Sequence, residues 1–94
     1  MQAQIQNIVD AIQPGRGFDS HFVIEELVRI DIAAYRAFVA SHAGDVPVAH
    51  SLLSKMVGQC SNVQRLLGPT GAPLAFYSVN IRGNANDNAA WMKI

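Results

Sequence analysis

Cysteine and net charge are what this sequence lacks most clearly. Cys60 is the only cysteine, so no disulfide can form within the chain and the fold must depend on its hydrophobic core. The formal net charge is zero and only 15% of the residues are charged, against about 25% in a typical domain. Because half the residues are apolar, this composition excludes intrinsic disorder. Zero net charge also argues against electrostatic nucleic-acid binding by the chain as a whole.

Long apolar runs are absent as well. No run approaches the roughly 18 residues that a membrane span needs, and the first ten residues have neither the basic nor the apolar region of a signal peptide. We therefore expect a cytoplasmic protein without a membrane partner. At 94 residues, we expect a single domain covering residues 1–94.

Motifs that carry chemistry are also missing. There is no glycine-rich phosphate loop, no dinucleotide fingerprint and no nucleophile elbow. The asparagine-rich segment 80–88 holds one carboxylate, too few for calcium, and the three histidines (His21, His42 and His50) are too scattered for zinc. On one helix, Cys60 and His50 would point about 80° apart, with no third group to orient them. We expect no catalytic residue, no metal and no cofactor.

Apolar residues at helical spacing predict four helices, of which two lie in the first third of the chain. Residues 5–12 form one apolar stripe that Pro14-Gly15 ends. The second helix starts at Asp19 or Ser20, because either side chain can accept from the free N–H groups of a first turn.

The next two helices have similar start and stop signals. Asp31 is the expected N-cap of the third helix, and Gly44 is its expected C′ residue, because glycine takes a positive φ without a Cβ penalty. Pro47 suits the first turn of the fourth helix, which we end near Gln59. One face of the third helix carries small residues that permit close helix approach: Ala33, Ala37 and Ala40.

The pattern then changes from helical to alternating. Residues 74–81 predict a half-buried strand, with Tyr77 on its inward face. The segment 82–88 predicts a loop and 89–94 the partner strand, while 63–67 is ambiguous between strand and helix. The fold class is therefore α+β, mostly helical, with a C-terminal β-hairpin. One core is expected from Phe22, Leu27, Tyr35, Phe38, Leu52, Met56, Tyr77 and Trp91.

This order of elements resembles a winged helix-turn-helix domain over roughly residues 32–94. Within the segment 39–47, the small residue Ala40 and the turn residue Gly44 lie four positions apart, as in that family. His50 departs from the pattern, because the family usually has a branched apolar residue six positions after the turn glycine. The departure leaves the register of the fourth helix open.

The outward face of the fourth helix is the most informative surface. It carries hydrogen-bonding side chains without a carboxylate, a set that can contact base edges and phosphates; the alternative is an ordinary solvated helix face. The resemblance implies that Arg82, in the hairpin loop, reaches DNA beside this helix. The candidate DNA-binding residues are Ser51, Ser54, Lys55, Gln59, Arg65 and Arg82, with Lys93 as a further phosphate contact.

Charge is distributed unevenly along the chain. Residues 1–54 hold three arginines against six acidic residues, whereas residues 55–94 hold four basic residues against one. The low overall charge and the alanine face predict a homodimer. Two functions remain open: a small DNA-binding, transcriptional-regulator-like protein, or a non-catalytic protein–protein interaction module that binds no nucleic acid.

Overall fold

A computed structural model describes residues 1–94. The helices are α1 (Gln2–Asp10), α2 (Ser20–Ile30), α3 (Ile32–Ser41) and α4 (Val46–Gly58). The strands are β1 (Gly17–Asp19), β2 (Val63–Arg65), β3 (Ala75–Val79) and β4 (Ala85–Lys93). The predicted α+β class, with four helices and a C-terminal antiparallel hairpin, is confirmed. None of the helices combines the length and hydropathy needed to cross a membrane.

An aspartate begins each of the last three helices. The carboxylates of Asp19, Asp31 and Asp45 each accept a backbone N–H three residues further on, at 2.8, 3.1 and 3.2 Å. Such a cap contributes about 1 kcal/mol. The predicted N-caps of α2 and α3 are therefore correct. The predicted C′ residue of α3 is wrong by one position: the helix ends at Ser41 with His42 as its C-cap, so Ala43 takes the first positive φ, +57°, and Gly44 follows at +73°.

Strand β4 is the centre of an antiparallel sheet. Its C-terminal part pairs with β1 on one side and β2 on the other, and its N-terminal part pairs with β3. Trp91 lies opposite both Phe18 and Arg65. The sequence interpretation missed β1, because three residues are too few to show alternation, while the ambiguous segment 63–67 supplies β2.

The hairpin turn is shorter than predicted. Strand β4 already begins at Ala85, so the expected loop 82–88 is wrong in its second half. The side chain of Asn80 accepts from the backbone N–H groups of Arg82 and Asn84, at 2.9 and 3.1 Å. These bonds, with Gly83 at a φ of +82°, close the turn and hold Arg82 at its tip.

The hydrophobic core lies between α1, α2, α4 and the C-terminal end of the sheet. Leu27 and Trp91 are buried as predicted, whereas Leu52 is only half-buried. The half-buried Phe22, Tyr35, Phe38 and Met56 pack against the core. The core cluster comprises Ile5, Ile8, Val9, Ile12, Phe18, Val23, Ile24, Leu27, Leu53, Val57, Cys60 and Trp91.

The predicted inward face of β3 is wrong. Tyr77 is 74% exposed and Val79 58% exposed, while Phe76 and Ser78 are half-buried. Each face of the strand carries one aromatic residue, so alternation alone could not decide which face turns inward. On the half-buried face, Ser78 hydrogen-bonds to Asp19 and His21 at the N-terminal end of α2.

Lys93 has a structural role at the end of α1. Its side chain is buried, and Nζ donates to the carbonyl oxygens of Val9, Asp10 and Ile12 at 3.1, 3.4 and 2.8 Å. The Lys93 ammonium group thus ties the end of β4 to the last turn of α1 and to the segment that follows it. Lys93 is therefore withdrawn as a phosphate contact.

Candidate functional site

A groove of about 610 Å³ lies between α4, the first turn of α2 and the β3–β4 hairpin. Only three of its sixteen lining residues are hydrophobic. Helix α4 contributes His50, Ser51, Ser54 and Lys55, and α2 contributes Ser20 and His21. The hairpin contributes mainly Arg82 and asparagines, namely Asn80, Asn84, Asn86 and Asn88. We call this surface the α4–hairpin groove.

The groove brings together four of the six predicted DNA-binding residues. Ser51, Ser54 and Lys55 line it from α4, and Arg82 lines it from the hairpin turn. Ser51, Lys55 and Arg82 are exposed, so their polar atoms are accessible to a ligand. The sheet register that carries the turn back over α4 creates this proximity between residues about thirty positions apart.

The other two predicted residues lie elsewhere. Gln59 caps the C-terminus of α4 and does not line the groove. The Arg65 guanidinium lies 5.0 Å from the centre of the Trp91 ring, and its Nη2 donates to the Leu74 carbonyl at 3.2 Å. Arg65 is thus half-buried and packed on the sheet, and it contributes no charge to the groove.

Ser54 is part of the scaffold of the groove. Its hydroxyl lies 2.6 Å from the Ser20 hydroxyl, which also accepts from the Trp91 indole N–H at 3.2 Å. These bonds join α4, α2 and β4 below the groove floor. Of the predicted α4 residues in the groove, Ser51 and Lys55 remain free to contact a ligand.

The buried residues of α4 define which of its faces turns inward. They are Ala49, Leu53 and Val57. His50 is half-buried beside them, and its Nε2 lies 2.7 Å from the Tyr35 hydroxyl.

The surroundings of His50 and Tyr35 also change their acidity. Burial, and secondarily the charges of Arg82 and His21, hold the pKa of His50 below its usual value. Burial raises the pKa of Tyr35, which the nearby Arg82 partly opposes. Both residues are therefore neutral near pH 7, and the positive charge at this end of the groove comes from Arg82.

A polar network that the sequence did not reveal fastens the hairpin to α2. Ser78 Oγ lies 2.8 Å from Asp19 Oδ2 and 2.7 Å from His21 Nδ1. The Asn88 amide donates to Ser78 at 3.2 Å and accepts from the His21 backbone N–H at 3.0 Å. We call these four residues the clasp. Its members are 57 to 69 positions apart across the two elements, so no local pattern could have indicated it.

The charge of the groove favours anions. Its lining holds two cations, Lys55 and Arg82, and one carboxylate, Asp87. The first turns of α2 and α4 also border it, but the carboxylates of Asp19 and Asp45 already cap them. With its many amide and hydroxyl groups, the groove can hydrogen-bond polar, negatively charged ligands.

The groove shows no cluster of metal-ligating side chains. The structure places no three His, Cys, Asp or Glu side chains where they could hold a metal ion together. Comparison of the chain with protein-family models, curated proteins and solved structures finds no match. The assignment of a function therefore rests on the geometry and charge of the α4–hairpin groove.

Proposed function

We propose that this chain is a small DNA-binding, transcriptional-regulator-like protein of the winged-helix type, cytoplasmic and without catalytic activity. The observation that carries the proposal is the α4–hairpin groove, in which Ser51 and Lys55 on a helix meet Arg82 on a hairpin tip. Base readout from a helix and backbone contact from an adjacent hairpin need this arrangement of two elements on one surface.

The chemistry of α4 supports a role in base contact. Its exposed side chains at Ser51 and Lys55 are types that hydrogen-bond to base edges and phosphates. An α-helix fits the major groove of B-DNA, and α4 is the longest helix of the protein. The half-buried His50 and the scaffold residue Ser54 hold this face in one orientation.

The number of free cations sets the expected strength of binding. Lys55 and Arg82 supply two phosphate contacts per protomer, since Arg65 and Lys93 are occupied within the fold. Each neutralised phosphate contributes about −0.9 to the slope of log K against log salt. The expected slope is about −2 per protomer and about −4 for a dimer. Binding is thus weak and sensitive to salt.

Titration of a fluorescent mixed-sequence duplex tests the proposal. We expect binding at about 100 µM protein and 50 mM salt, where ordinary non-specific affinity is visible. Arg82→Ala reduces the salt slope by about 0.9 per protomer, while Arg29→Ala, which removes the same charge from the exposed last turn of α2, leaves it unchanged. Absence of binding by the wild-type protein would overturn the proposal.

We also propose a homodimer formed through α3. Its alanine face is exposed, and no residue of α3 is buried within the chain. Equilibrium sedimentation at micromolar concentration is expected to give twice the 10.2 kDa chain mass. Ala37→Glu on this face is expected to give the single-chain mass, with Ser51→Glu on α4 as the control. A wild-type species of single-chain mass would contradict the dimer.

A second candidate function is protein–protein interaction through β3. This strand pairs only with β4, and it exposes 74% of Tyr77 and 58% of Val79. An apolar edge strand without charge can pair with a strand of another protein. Tyr77→Ser is expected to leave DNA affinity unchanged, because Tyr77 does not line the α4–hairpin groove. Loss of DNA affinity in this variant would mean that β3 and the groove are not separate surfaces.

A further inference from the structure

The hydrogen positions in the clasp are set by groups whose roles are fixed. The His21 backbone N–H can only donate, and it lies 3.0 Å from Asn88 Oδ1. The Phe76 carbonyl can only accept, and it lies 2.8 Å from Asn88 Nδ2. These two backbone groups determine which way the Asn88 amide points.

The single Ser78 hydroxyl proton is then assigned. Asp19 receives the Phe22 backbone N–H on Oδ1 at 2.8 Å and lies 2.8 Å from the Ser78 hydroxyl through Oδ2. A carboxylate accepts and does not donate, so Ser78 donates its only proton to Asp19. His21 Nδ1, at 2.7 Å from the same Ser78 oxygen, must therefore carry a hydrogen and donate it.

The second ring nitrogen of His21 has no such partner in the clasp. His21 is half-buried and lines the α4–hairpin groove, and Nε2 is the nitrogen that the clasp leaves without a hydrogen. We propose that His21 is a third phosphate contact of this groove, which binds a proton at Nε2 when a nucleic-acid phosphate enters. This inference rests on the proposed DNA-binding function.

The proton comes from solvent and disturbs none of the bonds that orient the ring. His21 Nδ1 donates to Ser78 whether or not Nε2 is protonated, so the imidazolium keeps the geometry of the neutral ring. The phosphate then accepts a charge-assisted hydrogen bond from a donor that is already oriented. Binding of a phosphate and binding of the proton therefore strengthen each other.

Charged and titratable groups from the neighbouring elements line the groove together with His21. Lys55 and His50 line the groove from α4, Arg82 and Asp87 line it from the hairpin, and Asp19 lies beyond Ser78. His50 does not substitute for His21, because its Nε2 is already bonded to the Tyr35 hydroxyl. The cations raise the local concentration of phosphate, and the proton on His21 adds the pH dependence.

Duplex titrations at pH 6 and pH 8 test the contact. The wild-type protein is expected to bind about tenfold more tightly at pH 6, the lower range of a hydrogen bond to a charged group. His21→Asn retains an amide donor for Ser78 but has no atom at the Nε2 position, so we expect its affinity to be the same at both pH values. His42→Asn, at the C-cap of α3 and outside the groove, serves as the control and should retain the wild-type pH dependence.

Nitrogen-15 NMR of the imidazole rings adds a measurement that does not depend on DNA. In the protein without DNA, the neutral His21 ring is expected to carry its hydrogen on Nδ1. Ser78→Ala is expected to abolish this preference for Nδ1. The phosphate contact of His21 would be overturned if the hydrogen lies on Nε2, or if the pH dependence of DNA binding persists in His21→Asn. Neither result would contradict the DNA-binding function. If the wild-type protein binds no duplex at either pH, the DNA-binding function fails and the contact fails with it.

Discussion

Two adjacent leucines on α4 provide a sharp test of the orientation on which the groove depends. Leu53 is fully buried in the core cluster, whereas Leu52 is half-buried and lies outside it. Truncation of a buried leucine to alanine costs about 2–5 kcal/mol, from lost transfer energy and an unfilled cavity. Leu53→Ala should therefore cost about 3–4 kcal/mol. Leu52→Ala should cost about 1 kcal/mol, since only part of the side chain leaves water and solvent can fill the space.

The comparison is closely matched, because both variants make the same change in the same helix. Any gain in helix propensity is equal and cancels. Urea unfolding measures both, and the difference of about 2–3 kcal/mol corresponds to roughly 1.3–2 M in midpoint if m is near 1.5 kcal/mol/M. Equal losses, or a larger loss for Leu52→Ala, would mean that α4 is rotated. His50, Ser51 and Lys55 would then not line the groove as described.

Three further predictions follow from local contacts. Gly58→Ala should destabilise the fold in a urea melt, because the added Cβ would lie 2.9 Å from Trp91 Cη2. The overpacking cost of about 1–3 kcal/mol exceeds the gain of about 1 kcal/mol in helix propensity. A variant more stable than the wild type would contradict this packing. Asp31→Ala loses only an N-cap, which is worth about 1 kcal/mol of unfolding free energy. Asp19→Ala should lose more, because Asp19 also accepts a hydrogen bond from Ser78. Equal losses would mean that the clasp does not contribute to stability. The lowered pKa of His50 means that the unfolded chain binds more protons than the folded chain below about pH 6.5. The free energy of unfolding should therefore decrease as the pH is lowered below that value, and it should decrease less in His50→Gln. Identical pH profiles for the two proteins would mean that His50 is exposed to water.

The starts of α2 and α3 were predictable because their signals are local: Asp19 and Asp31 each bond a backbone N–H three residues away. Such caps need no knowledge of the rest of the fold. The helix ends were less predictable, since α1 ends at Asp10, before the Pro14-Gly15 stop, and Ala43 takes the first positive φ after α3. The four-helix order and the hairpin followed from residue types and spacing alone.

The sheet and the groove depended on contacts that no local pattern contains. Strand β3 has aromatic residues on both faces, so alternation could not show that Ser78 turns towards Asp19 and His21. The role of Lys93 likewise depends on carbonyls more than eighty positions away. The sequence interpretation correctly placed Lys55 and Arg82 on the surface as cations. It could not show that Arg65 stacks on Trp91.

Mapping of a bound duplex on nitrogen-15-labelled protein by NMR tests the central claim most directly. If the α4–hairpin groove is the DNA-binding surface, amide and side-chain signals of Ser51, Lys55 and Arg82 should shift together as duplex is added at low salt. Signals of Tyr77 on the exposed face of β3 should stay in place. Shifts confined to β3, or no shifts at about 100 µM protein and 50 mM salt, where ordinary non-specific affinity is visible, would contradict the account.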